Sequence, residues 1–157
     1  MRATFVLENG FGPDTGVQGQ GNRLFGRRAN VGLRTALGAF TLGRQVDMTY
    51  VSTLKADIMG PNLYSMSNMD GYLHNARRDN AIGYMGKFGD VSVGGTYSFG
   101  RDASNAGGPA AANCAGEVPG ESQACRQVTA LLAYDTKTFG VATAYDKRMV
   151  ARERQVA

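Results

Sequence analysis

Apolar and polar residues alternate with a period of two in several short stretches. Ala3, Phe5 and Leu7 interleave with Arg2, Thr4, Val6 and Glu8. Val91, Val93, Tyr97 and Phe99, with Gly95, interleave with Asp90, Ser92, Thr96 and Ser98, with Gly94. Val128, Ala130, Leu132 and Tyr134 interleave with Gln127, Thr129, Leu131, Ala133 and Asp135. This period places the two sets of each stretch on opposite faces of a sheet. Strands are expected at 1–8, 24–34, 39–45, 77–85, 90–99, 127–136 and 140–147.

Two kinds of connection separate these strands. Leu37-Gly38, Phe88-Gly89 and Phe139-Gly140 are evenly spaced apolar–glycine pairs, each centred between two alternating runs. Glycine supplies the backbone angles of tight hairpins. The other connections, 9–23, 46–76 and 100–126, are long. Long loops are uncommon inside compact soluble domains. Here they alternate strictly with the short turns, so all long loops leave one rim of the sheet and all short turns the other. That asymmetry is the form of an outer-membrane β-barrel. A soluble β-sandwich shares the alternation and is the competing reading. Tyr84, Tyr97, Tyr134 and Tyr145 fall on the apolar sets, where amphipathic rings suit a membrane boundary.

Composition narrows the choice. Glycine accounts for 22 of 157 residues, charged residues for 19%, and tryptophan is absent. No apolar run approaches the ~18 residues that a transmembrane helix needs. The formal charge of +4 is spread along the chain without a Lys/Arg-rich run or nucleic-acid motif, so no nucleic-acid partner is expected. Cys114 and Cys125 flank a segment rich in Gly, Pro, Ala and Glu, and an oxidising compartment would close them into a small disulfide loop. Two cysteines and His74 make a poor zinc site, and no metal or cofactor is expected. His74 has no G-x-S-x-G nucleophile motif beside it, so no enzyme and no catalytic residues are expected. Met48, Met59, Met66 and Met69 in the longest loop read as packing residues.

The order of several segments adds more. Phe5-Val6-Leu7-Glu8-Asn9-Gly10-Phe11 is followed by Leu24-Phe25-Gly26-Arg27-Arg28-Ala29-Asn30-Val31-Gly32-Leu33, and then by Phe40-Thr41-Leu42-Gly43-Arg44-Gln45. Arg77-Arg78-Asp79-Asn80-Ala81-Ile82-Gly83-Tyr84 and Tyr97-Ser98-Phe99-Gly100 come later. Over residues 1 to about 146 this order and spacing resembles the general porin family of Gram-negative bacteria.

The resemblance implies an all-β, antiparallel up-and-down transmembrane barrel of roughly 16 strands. About seven would be present here as an open partial barrel, starting near the family's third strand. It implies a homotrimer in outer-membrane lipid that passes small hydrophilic solutes and ions. Residues 1–8 alternate like a strand from the outset, so the signal peptide is expected to lie outside this sequence. Residues 149–157 depart from the family's strand pattern. A non-conducting barrel that uses its external loops for adhesion or ligand binding is the alternative function.

By match to the family, Arg27 is the first candidate for a lumen-facing arginine and Arg77 the second. Glu8 matches an acidic lumen position. The loop 46–76 corresponds to the family's inward-folded constriction loop. It carries Asp47, Asp57 and Asp70 against Lys55 and His74, and Asp57 is the first choice for an acid facing the arginines. The family's Pro-Glu-Phe-Gly-Gly type segment does not stand in it. Arg78 shares parity with Ile82 and Tyr84 and is therefore expected at the rim or a subunit boundary. Arg44, on the parity of Phe40 and Leu42, points away from the channel. The resemblance places it near the trimer contact, within reach of Asp14, the single acid in a neighbour's 9–23 loop.

Overall fold

A computed structural model of the chain describes residues 1–60, 64–66, 77–100 and 122–149. Seven strands form one antiparallel sheet in the order of the chain: β1 (Arg2–Glu8), β2 (Arg28–Thr35), β3 (Gly38–Val46), β4 (Arg77–Phe88), β5 (Val91–Ser98), β6 (Gln127–Asp135) and β7 (Gly140–Arg148). The sheet does not close on itself, and β1 and β7 are its edges. It is an all-β, up-and-down meander. A four-residue helical turn, α1 (Gly19–Asn22), lies in the first long connection, and one longer helix, α2 (Met48–Ala56), follows β3. No helix among the described residues is long and apolar enough to cross a membrane, which says nothing of crossing by strands.

β2 begins at Arg28, four residues later than the alternation alone suggests, because Gly26 N–H bonds back to the Arg23 carbonyl at 3.2 Å. At the opposite rim the hairpins are tight. Thr35 pairs with Gly38, and Phe88 pairs with Val91. Gly89 takes φ 63° in the second of these turns, a conformation that costs glycine least.

Pairing across the strands aligns side chains into continuous rows. Phe5, Val31, Leu42, Ile82, Tyr97, Val128 and Lys147 form one. Ala3, Leu33, Phe40, Tyr84, Gly95, Ala130 and Tyr145 form the next on the same face. Val93–Leu132–Thr143 and Val91–Tyr134–Val141 complete it towards the short turns. Within these rows Lys147 alone carries a charge. Phe5, Val31, Leu42, Ile82, Leu132 and Val141 stand exposed. A contiguous apolar surface of this extent is costly in water and marks contact with another apolar phase.

The other face is polar. Thr4, Gly32, Thr41, Gly83, Thr96, Thr129 and Asp146 form one of its rows. The sheet thus has an oily side and a wet side, as period-two alternation requires.

Candidate functional site

The helix α2 rests on the polar face. Its residues Met48 and Val51 pack against Met85, Leu131, Ala133 and Ala142, and this small cluster is the hydrophobic core of the described residues. Gly94 makes room for it: a Cβ there would lie 2.5 Å from Met48 Sδ. The stretch 46–76, expected as a long loop, thus holds a helix near its start. Nine residues are too few to be helical alone in water, so docking supplies the stability.

Polar contacts fasten the helix to the sheet. At its start, Asp47 Oδ1 accepts the Tyr50 N–H at 2.8 Å, a standard N-cap. Its Oδ2 lies 2.6 Å from Arg78 Nη2 of β4. Met48 N–H donates to Thr129 Oγ1 at 3.1 Å, and that hydroxyl shares a 2.5 Å bond with Thr96 Oγ1. At the helix's last turn Lys55 is ion-paired with Asp135, the final residue of β6. Arg78 also reaches Asp146 of β7 at 3.5 Å, and Gln127 donates to that same carboxylate.

Arg78 is therefore buried on the polar face at 4% exposure, not on the face of Ile82 and Tyr84 where simple alternation put it. The reason is a β-bulge. Gly43 pairs with Ala81 and Gln45 with Arg78, so β4 carries one residue more than β3 between the two pairs. The extra residue falls at Asp79–Asn80, where Asn80 takes φ 44°. A bulge reverses the alternation beyond it. Arg78 thereby joins Gln45, whose amide donates to the Ala81 carbonyl at 3.0 Å, on the side opposite Ile82 and Tyr84.

Asp79, displaced by the same bulge, gathers two arginines. Arg23 Nη1 lies 2.9 and 3.0 Å from its two oxygens, and Arg44 Nη1 lies 2.5 Å from Oδ1. Arg44 Nε donates to the Gly26 carbonyl at 2.7 Å. Arg44 is thus buried and engaged within its own chain, while Asp14 is exposed in the turn at 13–15.

A second charged group lies at the tops of β1 and β2. Arg27 Nε is 2.5 Å from Glu8 Oε1, and Arg28 Nε is 3.4 Å from Glu8 Oε2. Glu8 pairs in register with Arg28 on the polar face. Arg77 stands half-buried at the start of β4 with Arg27, Arg44, Tyr50 and Glu8 as its electrostatic neighbours. Its Nε is buried with no hydrogen-bond partner among the described residues. Glu8, Arg27 and Arg77 are therefore brought together.

Asp57 is not among them. Its carboxylate accepts the Ser65 hydroxyl at 2.5 Å and the N–H groups of Met59 and Met66 at 3.0 and 3.1 Å. The Ser65 hydroxyl, then those backbone N–H groups, hold its carboxyl below the usual aspartate range against the opposing effect of burial. Asp57 closes a turn of the loop. Cys125 is held in a disulfide. Cys114, Asp70 and His74 lie outside the described residues.

Along the apolar face, rings mark both borders. Tyr97 and Phe99 meet edge-on at 4.9 Å towards the long loops. Tyr134 and Phe139 lie 6.1 Å apart towards the short turns. Paired girdles of this kind flank the lipid-facing band of membrane barrels.

The sequence matches the Gram-negative porin family over residues 1–154. The chain belongs to that family. An outer membrane porin protein of Bordetella pertussis is 28% identical over 152 residues, covering 94% of this chain and 38% of its own length. Among solved structures, an anion-selective porin from Comamonas acidovorans superposes with a TM-score of 0.60 at 21% identity. That alignment covers 94% of this porin chain and 43% of the solved one. The chain spans about two fifths of the length of each of these relatives, and at this identity the structural likeness shows the fold.

Proposed function

We propose that this porin chain is part of a passive diffusion channel for small hydrophilic solutes and ions across the bacterial outer membrane, and not of an enzyme. The observation that carries the reading is the division of the sheet, with a largely apolar face between two aromatic borders and a charged face bearing the docked helix α2. In such a channel the polar face lines the lumen, α2 narrows it, and selectivity follows from the charges at the waist. Arg27 supplies the positive side with Glu8 as its partner, and Arg77, in register with Val46 at the start of β4, adds its charge from beside them. Asp57 contributes charge mainly by shaping the loop, since its oxygens already hold three donors.

Lumen cations exceed acids in this assignment. Alternation puts Arg2, Arg28, Arg34, Arg78, Lys87 and Arg148 on the polar face with Glu8, Asp135 and Asp146. We therefore expect weak anion preference, in the same sense as the Comamonas porin's description. Outer-membrane lipid and a homotrimer complete the proposal, with the exposed Asp14 of a neighbouring copy facing Arg44 as its trimer contact. Planar-bilayer reversal potentials of the complete protein under a salt gradient test it. A clear cation preference contradicts the charge assignment, and a protein that inserts without conducting supports a closed, adhesin-type barrel.

A further inference from the structure

Gln45 and Gly83 stand on the two sides of the bulge in β4. The backbone of Gln45 pairs with Arg78, while its side chain reaches back past the irregularity to where Gly43 pairs with Ala81 and Thr41 with Gly83. There Nε2 donates to the Ala81 carbonyl at 3.0 Å and the Thr41 carbonyl at 3.2 Å, one on each strand. Gln45 is buried, and its amide lies against Gly83. A Cβ on Gly83 would stand 2.9 Å from Gln45 Cδ and closer still to Oε1.

These contacts bear directly on the bulge. Between the flanking pairs, Asp79 and Asn80 stand against Arg44 alone. An extra residue breaks the ladder locally, and buried carbonyls then need donors from elsewhere. On the β5 side, Ser98 Oγ donates to the Asp79 carbonyl at 2.6 Å and Phe99 N–H to the Asn80 carbonyl at 3.1 Å. On the β3 side the Gln45 amide supplies the donor. Sliding β4 by one residue would absorb the extra residue, but it would bring Ile82 beneath the amide in place of Gly83. A branched side chain does not fit where a single Cβ already overlaps.

The bulge in turn decides where two charges go. With it, Arg78 holds Asp47 and Asp146 on the polar face, and Asp79 meets Arg23 and Arg44. Without it, parity sends Arg78 to the face of Ile82 and Tyr84, and Asp47 and Asp146 lose their guanidinium.

We infer that Gln45, seated on Gly83, is a positioning residue for the constriction: it holds β4 in its bulged register and thereby keeps Arg78 at the start of α2. This rests on the reading that the polar face lines a channel which α2 narrows.

Permeability ratios of the complete protein, from reversal potentials in planar bilayers under a salt gradient, test it. Gln45→Leu keeps an apolar stem and removes the donors. It should shift the anion-to-cation permeability ratio about twofold or more towards cations, because two carboxylates lose their cation. Gly83→Ala, which displaces the amide, should shift it the same way. In an Arg78→Met background Gln45→Leu should add no further shift, and in a Gln45→Ala background Gly83→Ala should add none. Equal shifts from Gln45→Leu with and without Arg78 overturn the inference, since Gln45 would then act independently of that arginine. An unchanged ratio in Gln45→Leu also overturns it, because Ser98 and Phe99 would then hold the bulge alone. If Gln45→Leu does not assemble, Gly83→Ala with and without Arg78 gives the same decision. A wild type that does not conduct refutes the channel reading. Melting temperatures of the same variants in detergent then decide the positioning role, with non-additive losses for Gln45 and Arg78 supporting it and additive losses overturning it.

Discussion

Asp47 and Arg78 are joined at 2.6 Å across the gap between a loop helix and the sheet beneath it. One carboxylate oxygen caps α2 and the other holds the arginine, so a single side chain both starts the helix and ties it down. Thr129 and Lys55 add further attachments along its length.

Removing Asp47 should release that end. Asp47→Ala deletes an N-cap, typically ~1 kcal/mol, and leaves a buried guanidinium without its nearest acid, a further loss of about 3 kcal/mol. Lower thermal stability of the detergent-solubilised protein and noisier single-channel currents are expected. Asp47→Asn should keep the cap and lose the ion pair, falling between the two. An Ala variant as stable as wild type would show that the helix is held elsewhere.

Arg27 and Glu8 should act on selectivity in opposite senses. Removing a unit charge at about 8 Å from a passing ion changes its energy by about 2 kcal/mol at an effective dielectric of 20, less after salt screening. Arg27→Ala should move the reversal potential towards cations and Glu8→Gln towards anions. Shifts of the same sign from both would contradict the assignment.

Acid should loosen the turn that Asp57 closes. Its carboxyl is held low by Ser65 and the Met59 and Met66 N–H groups, so the folded state favours the ionised form. This contribution is complete above the ordinary aspartate value of about 3.9 and is lost as pH falls through the lower folded value. Amide exchange at Met59 and Met66 should accelerate below that point. Asp57→Asn should exchange fast at neutral pH and show no further acid response.

Reduction should test the long loop before β6. If Cys125 is bonded to Cys114, as the sequence reading expects, closing so short a loop stabilises by roughly 3 kcal/mol in the chain-entropy model. Peptide mapping without reductant should yield the crosslinked pair. Cys114→Ser should lower the melting temperature while leaving ion selectivity unchanged.

Much of this molecule was legible along the chain. The alternation in 90–99 and 127–136 assigned each side chain to the face it occupies, because a strand's side chains have no third direction to take. The apolar–glycine pairs located the hairpins, and the long loops could leave only the opposite rim. Parity groups Glu8 with Thr4, and the register keeps the two on one face.

What local pattern could not decide was set by contacts between distant segments. The bulge at Asp79–Asn80 moves Arg78 from one face to the other, and its signal in sequence is faint: an Asn, which tolerates positive φ better than most residues. The helix after Asp47 is too short to announce itself and forms because Met48 and Val51 find an apolar seat contributed by β4, β6 and β7. Asp57, the first choice for an acid facing the arginines, has its oxygens occupied by Ser65, Met59 and Met66. Face and hairpin are short-range properties of the backbone. Which charge meets which depends on residues as far apart as Asp47 and Asp146, brought together only when the strands lie side by side.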